Sequence, residues 1–277
     1  MTPGTGAVPP GAERVTDDGA RIAYAVHPAP RPGAPRVVLI HSLALDRSIW
    51  DGTIPLLAAH AEVLVLDCRG HGRSSAGQQP FTCERFADDM AAVLDAAGWA
   101  EALVAGCSMG GCVAQAFAAR HPARTRALLL IDTTAWYGPE APAQWRVRAE
   151  AARSQGLSSL AAFQMTRWVG DAFRESGSGR AVVQKALEVF LANDVEAYAA
   201  TCRMLGEADL RAALPGLKMP VSILVGEEDY ATPPAMAEAM HRAIPQSTLA
   251  VLDGARHLTP LEVPERIAAA IRDLLAR

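Results

Sequence analysis

The sequence predicts an α/β fold with a mostly parallel central sheet, helices on both faces and a helical insertion over one end. Three observations carry that expectation. Short apolar runs of strand character recur along the chain, helical patterns alternate with them, and the alternation breaks once, between Tyr137 and Leu210. The 277 residues suit one large domain with an insertion. Half of them are hydrophobic and a fifth are charged, a composition that excludes an overall disordered or fibrous chain.

The elements follow in order. Met1 to Ala12 is rich in Pro and Gly and lacks an apolar core, so a loose tail is expected there and not a signal peptide. Arg21 to Val26 reads as a first strand. Arg36 to Ile40 is a short apolar run rich in β-branched residues, suited to a strand covered on both faces. Val63–Leu66, Ala102–Ala105, Ala127–Ile131 and Val221–Val225 repeat that character, and Ser247–Leu252 reads as the last strand. Between them lie helical patterns at Glu84–Ala97, Gly110–Arg120 and Ala235–Ala243, with a closing helix at Pro264–Leu275. From Tyr137 to Leu210 no strand is predicted. Apolar residues there recur at helical spacing, as in Trp145, Ala149 and Ala152, and Ser176-Gly177-Ser178-Gly179 reads as a hinge or loop. The division expected is a core over residues 1–136, with a flexible tail at 1–12, a helical cap over 137–210, and the rest of the core over 211–277.

Charge and cysteine usage narrow the function classes. The net charge is −4, from 26 basic and 30 acidic residues, so nothing advertises nucleic acid or an anionic membrane. No apolar run approaches the roughly 18 residues that span a bilayer. The five cysteines are irregularly spaced, with no CxxC and no Cys/His grouping of zinc spacing. A reducing, cytoplasmic setting is expected, with no metal and no cofactor. The sequence assigns no oligomeric state.

The strongest local signal is Gly106-Cys107-Ser108-Met109-Gly110, a G-x-S-x-G pattern between a predicted strand and a predicted helix. That is the setting of a nucleophile elbow, whose tight turn exposes the serine hydroxyl and leaves no room for side chains at the flanking glycines. A serine hydroxyl needs a base. His257, in the loop after the last strand, is the candidate. The base needs a carboxylate to orient it and to stabilise its cation. Asp229, just past Val221–Val225, is the choice; Glu228 is the fallback, with Glu227 and Glu228 otherwise expected in solvent. Oxyanion donors are assigned to the backbone N–H of Met109, after the nucleophile, and of Leu43, in the loop after Arg36–Ile40. Ser42 stands where Gly is usual, and either narrows the pocket or contacts substrate. Asp67-Cys68-Arg69-Gly70-His71-Gly72-Arg73-Ser74 reads as a glycine-bent loop whose Arg and Asp brace the rim rather than as catalytic machinery, and Cys107 reads as packing. Trp136, Trp145 and Trp168 are either cap core or pocket wall.

The elbow, the D-x-R-G-H-G-x-S loop, the G-x-x-D turn and the late histidine together resemble the α/β-hydrolase superfamily over essentially the whole chain. Within it the sequence looks most like the 3-oxoadipate enol-lactonases. The stretch His41-Ser42-Leu43-Ala44-Leu45-Asp46 with Trp50 and Asp51 carries that likeness, as do Trp145 with Arg148, Arg167-Trp168, Asp194 with Tyr198, Asp229-Tyr230-Ala231-Thr232-Pro233-Pro234, and His257-Leu258 with Glu262 and Pro264-Glu265. The departures are His41 and Ala44, where those enzymes carry Asn and Gly, and Trp136, in a stretch that usually carries a basic residue. The resemblance implies a serine hydrolase acting on a small-molecule ester or lactone, an enol-lactone of a small oxo-acid being the specific expectation, with Arg148 and Arg167 as candidates for a substrate carboxylate alongside Ser42, Trp136 and Trp145. A general carboxylesterase, a cofactor-free perhydrolase and a C–C bond hydrolase share the same triad. From a different class, a non-catalytic ligand receptor on a hydrolase scaffold is the rival reading.

Overall fold

The computed structural model describes residues 11–277. Eight strands form one sheet: β1 (Ala12–Val15), β2 (Arg21–His27), β3 (Arg36–Ile40), β4 (Glu62–Leu66), β5 (Ala102–Cys107), β6 (Thr125–Ile131), β7 (Val221–Gly226) and β8 (Thr248–Leu252). Their order across the sheet is β1-β2-β4-β3-β5-β6-β7-β8. The β1/β2 and β2/β4 pairs are antiparallel; every pair from β4 to β8 is parallel. The helices are α1 (Ile54–Leu57), α2 (Cys83–Ala96), α3 (Met109–Arg120), α4 (Ala141–Gln155), α5 (Ala161–Trp168), α6 (Asp171–Glu175), α7 (Gly177–Leu191), α8 (Val195–Glu207), α9 (Pro234–Ala243), α10 (Thr259–Glu262) and α11 (Pro264–Leu275).

The parallel strands are apolar on both sides because both sheet faces are covered. Every residue of β5 is buried. On it and on β6 lie α3, beside α2, and α11, beside α1. The predicted mostly parallel sheet with helices on both faces is therefore present, and the predicted strands and helices fall on observed ones to within one or two residues at each end. One strand was not expected. β1 pairs with β2 through Ala12↔Tyr24 to Val15↔Arg21. Its sequence, AERV, is short, charged and mostly exposed, so it carries no core pattern, and it forms because the turn at Gly19 (φ 82°) folds it back on a neighbour. Of the loose tail expected at residues 1–12, residues 1–10 lie outside the described residues, and Ala12 is already strand.

Between β6 and β7 come α4 to α8 and no strand. This stretch is tied off where it leaves and rejoins the sheet. Trp136 and Asp209 form an isolated antiparallel bridge, and the Leu210 N–H donates to the Ala135 carbonyl at 2.9 Å. α4 packs most extensively on α8. The Ser-Gly-Ser-Gly segment is not the expected hinge. Ser176 caps α7, its hydroxyl accepting from the Gly179 N–H at 3.0 Å, and a Cβ on Gly179 would overlap the Phe173 carbonyl. Gly179 serves a close approach between α6 and α7.

Candidate active site

The C-terminal ends of β3, β5, β6, β7 and β8 converge on one rim, where an open parallel sheet leaves a crevice. Ser108 ends the β5–α3 turn at φ 54°, ψ −115°. This conformation is rare for a residue with a side chain and costs on the order of 1–3 kcal/mol. Packing holds it there. A Cβ on Gly106 would overlap the Gly110 carbonyl, and one on Gly110 would overlap the Ile40 carbonyl, so the helix start is pressed against both its own strand and the end of β3. The Ser108 N–H donates to the Ile131 carbonyl at 2.9 Å, and the Thr133 hydroxyl donates to the Ser108 carbonyl at 2.7 Å.

Ser108 Oγ lies 2.9 Å from His257 Nε2, and His257 Nδ1 lies 2.8 Å from Asp229 Oδ2. The Asp229 carboxylate also accepts from the N–H groups of Ala231 (2.8 Å) and Thr232 (2.9 Å) and from the Thr232 hydroxyl (2.8 Å). A carboxylate can only accept, so His257 carries its proton on Nδ1 and leaves the Nε2 lone pair facing the serine hydroxyl. Burial pushes the Asp229 carboxyl upward; the adjoining imidazole and the Thr232 donors outweigh it and hold the group below the ordinary carboxylate range. All three side chains are nearly closed off from solvent. The fallback acids stand elsewhere: Glu228 pairs with Arg256 at 2.8 Å, and Glu227 accepts from the Gly254 N–H at 2.9 Å.

The N–H groups of Leu43 and Met109 donate to no protein acceptor among the described residues, although both residues are buried. Unpaired buried N–H groups are uncommon in folded chains. Ser42 is buried in the same loop.

A cleft of about 600 Å³ adjoins this rim, lined by Tyr137, Trp145, Arg148, Arg167, Tyr230 and Ala231 among others. Ser108, Asp229 and His257 do not themselves line it; it comes near them through Tyr230 and Ala231, which follow Asp229, and through α5, whose Trp168 carbonyl accepts from the Leu258 N–H at 2.7 Å. Two arginines meet in it. Arg148 donates to the Tyr198 hydroxyl at 2.6 Å and lies 5.0 Å from the Trp145 ring centre. Arg167 has a buried Nε with no partner, and neither arginine forms an ion pair among the described residues. Burial first, and Arg148 second, pull Arg167 down to about 10. A cation so placed favours an anion. Of the expected substrate contacts, Trp145, Arg148 and Arg167 line the cleft; Ser42 and Trp136 do not. The Trp136 ring sits 3.7 Å beneath the Arg211 guanidinium at the foot of the helical segment, and the next residue, Tyr137, faces the cleft in its place. Trp168 packs on Phe190 at 5.8 Å and is core. A larger groove, of about 720 Å³, lies at the opposite end of the sheet among Arg36, Glu62 and Ala102, which open β3, β4 and β5, and holds none of the triad.

Arg69 and His71 take no part in the Ser108–His257–Asp229 relay, although the His71 ring lies 5.2 Å from that of His41. Both of Arg69's terminal nitrogens and its Nε are taken by Asp18, Asp89 and the Ala76 carbonyl, and His71 Nδ1 lies 2.9 Å from the Arg69 carbonyl oxygen. Cys107 is wholly buried, with its thiol pushed up by burial. Among the described residues no cluster of three or more His, Cys, Asp or Glu is arranged to hold a metal ion, and no helix is long and apolar enough to cross a membrane.

Residues 35–264 match the family described as alpha/beta hydrolase fold. The chain is 32% identical over 243 residues to 3-oxoadipate enol-lactonase 2 of Acinetobacter baylyi, an alignment covering 88% of this chain and 89% of that one. It is 31% identical over 259 residues to a pimeloyl-[acyl-carrier protein] methyl ester esterase of Neisseria meningitidis, covering 87% and 93%. The crystal structure of the enol-lactonase from Burkholderia xenovorans superimposes with a TM-score of 0.90 at 32% identity, over 96% of this chain and all 100% of that one. Sheet order, elbow and sequence similarity agree, and the chain belongs to the α/β hydrolase fold family.

Proposed function

We propose that the protein is a serine hydrolase that opens a small carboxylic ester or lactone through an acyl-enzyme on Ser108. The observation that carries this reading is the unbroken relay from Ser108 Oγ to His257 Nε2 (2.9 Å) and from His257 Nδ1 to Asp229 Oδ2 (2.8 Å). Ser108 attacks the carbonyl carbon as His257 accepts its proton. Asp229 stabilises the imidazolium, and the N–H groups of Leu43 and Met109 hold the oxyanion. The leaving oxygen takes the proton from His257. Water, deprotonated by His257, then releases the acid. Residues 137–210 serve as the cap over this centre, and residues 1–136 with 211–277 as the core.

The substrate class proposed is an enol-lactone of a small oxo-acid. Support comes from the similarity to proteins named enol-lactonases and from Arg148 and Arg167, whose cleft suits a second carboxylate on the substrate, since a guanidinium fork matches that group. In such a substrate the ring oxygen takes the proton from His257 and leaves as an enol, which tautomerises to the ketone. The similarity to a protein named a methyl ester esterase favours a second reading, a carboxylesterase for acyl chains, and a substrate panel separates the two.

Turnover of an enol-lactone, a saturated lactone, a methyl ester and a p-nitrophenyl ester is compared in wild type, Ser108→Ala and Arg167→Met. Ser108→Ala and His257→Ala lower kcat on the order of 10⁶-fold with the fold intact. Arg167→Met raises KM for carboxylate-bearing substrates and leaves a neutral p-nitrophenyl ester unchanged. Full activity in Ser108→Ala refutes the nucleophile. Tight ligand binding without turnover in wild type points to a receptor.

A further inference from the structure

His41 is wholly buried in the loop that follows β3. Its Nε2 lies 2.8 Å from the backbone N of Cys68. An N–H can only donate, so Nε2 is a bare lone pair. A neutral imidazole with Nε2 bare carries its proton on Nδ1, and Nδ1 lies 2.7 Å from the Ser42 carbonyl oxygen, to which it therefore donates. That carbonyl also accepts from the Leu45 N–H at 3.3 Å. Burial pulls His41 down from its ordinary value, in keeping with the neutral ring.

The peptide between Ser42 and Leu43 is planar and trans, so its C=O and N–H point in opposite directions. Clamping the carbonyl toward His41 and Leu45 turns the Leu43 N–H the other way. Leu43 is buried and its N–H donates to no protein acceptor among the described residues, and the loop lies against the nucleophile's helix: a Cβ on Gly110 would lie 2.7 Å from the His41 carbonyl oxygen.

We infer that His41 is a positioning residue of the oxyanion hole: its Nδ1–H fixes the Ser42–Leu43 peptide plane so that the Leu43 N–H meets the oxygen that becomes negative when Ser108 attacks. The inference rests on the reading of Leu43 as an oxyanion donor in a serine hydrolase.

The test compares His41→Asn, His41→Gln and His41→Phe with wild type on p-nitrophenyl butyrate. Active sites are counted by titration with an organophosphonate, and Ki is measured for butylboronic acid, which forms a tetrahedral adduct with the serine. Asn reaches the Nδ1 position and Gln the Nε2 position. The expected result is that Phe and Gln lower kcat per titrated site by at least about tenfold, toward the 10²–10³-fold that loss of one oxyanion donor costs. KM stays within about threefold and the boronate Ki weakens in step with kcat, while Asn restores most of the rate. A merely structural role lowers Tm and the titrated fraction but leaves per-site kcat and boronate Ki at wild-type values, and that result overturns the inference. So does a Gln variant more active than Asn, a comparison that holds even where Phe fails to fold. Absence of Ser108-dependent turnover in wild type overturns the hydrolase reading itself; wild-type turnover with unimpaired Gln and Phe variants overturns the role of His41 alone.

Discussion

Ser108 holds an unfavourable backbone conformation because its neighbours leave no alternative, and the glycines flanking it carry only hydrogens where a methyl group would overlap a carbonyl. The Gly110 position faces the Ile40 and His41 carbonyls, where a methyl group has no room. Gly110→Ala must push α3 away from the loop that carries Leu43. The expected cost is roughly 1–3 kcal/mol of stability, the usual range for overpacking, with kcat lowered at least about tenfold and KM little changed. Thermal melting with steady-state kinetics reads both, and an unperturbed Gly110→Ala refutes the contact. Such glycines are legible in a sequence because a sharp turn demands them at fixed spacing. The choice among Glu227, Glu228 and Asp229 is legible only through the length of the β7 turn, and the structure separates them by partner: a backbone N–H, Arg256 and His257. Trp136 and Tyr137 show where local reading stops. Adjacent residues face different ways, and the bridge from Trp136 to Asp209, which fixes that parity, joins positions no local pattern connects.

The element that organises the rim is the end of β6, which sequence reading left without a role. Asp132, wholly buried at φ 47°, accepts from the Gly226 N–H at 3.0 Å with one oxygen. Its other oxygen accepts from the Thr259 N–H at 2.9 Å and the Thr259 hydroxyl at 2.7 Å. It thereby ties the end of β7, three residues before Asp229, to the segment two residues after His257. Its partners are 94 and 127 residues away in the chain, and one Asp after a strand has no periodicity to betray such a bond. Burial and the neighbouring Asp229 carboxylate push Asp132 up, against the pull of its three donors. Asp132→Ala strands those donors in the interior, at about 1–3 kcal/mol for each unsatisfied group and less than their sum together. A loss near 3 kcal/mol by urea unfolding is expected, with a fall in kcat as the loops carrying Asp229 and His257 loosen and KM held. Wild-type kcat in a folded Asp132→Ala protein contradicts this bracing. The helical segment was legible as helix from its apolar spacing, whereas the Ser176–Gly179 start of α7 was not, since a glycine that allows a close helix approach, as Gly179 does, looks like one that breaks a helix.

At the scale of the whole molecule, one buried ionic cluster joins the N-terminal hairpin to the loop after β4, at the end of the sheet where Ser108 lies. The Arg69 guanidinium, in the loop after β4, is fully buried between Asp89 on α2 (2.7 Å) and Asp18 in the β1–β2 turn (2.6 Å). Asp18 also accepts from the Gln78 and Gln79 N–H groups at 3.2 and 3.0 Å, so the turn and the loop are ordered together. The central parallel strands announce themselves by apolar runs, but this attachment of the exposed β1 hairpin does not, because it depends on a turn Asp meeting an Arg 51 residues later. The Arg69 bond holds the Asp18 carboxyl well below its ordinary value of 3.8, whereas burial pushes Asp89 up against the same arginine. Asp18 stays ionised in the folded chain at pH values where the unfolded chain has already taken up its proton. Its stabilisation is therefore complete above about pH 4 and declines as pH falls below that; Asp89 contributes in the opposite sense. At pH 7, Asp18→Asn is expected to lose about 3 kcal/mol, the scale of charge-assisted hydrogen bonds to a buried arginine. The difference between wild type and Asp18→Asn should narrow steadily from pH 4 to pH 2. Urea unfolding midpoints across that interval decide it: a constant difference means that the Asp18 charge adds nothing to the join between hairpin and rim, and that shape alone holds it.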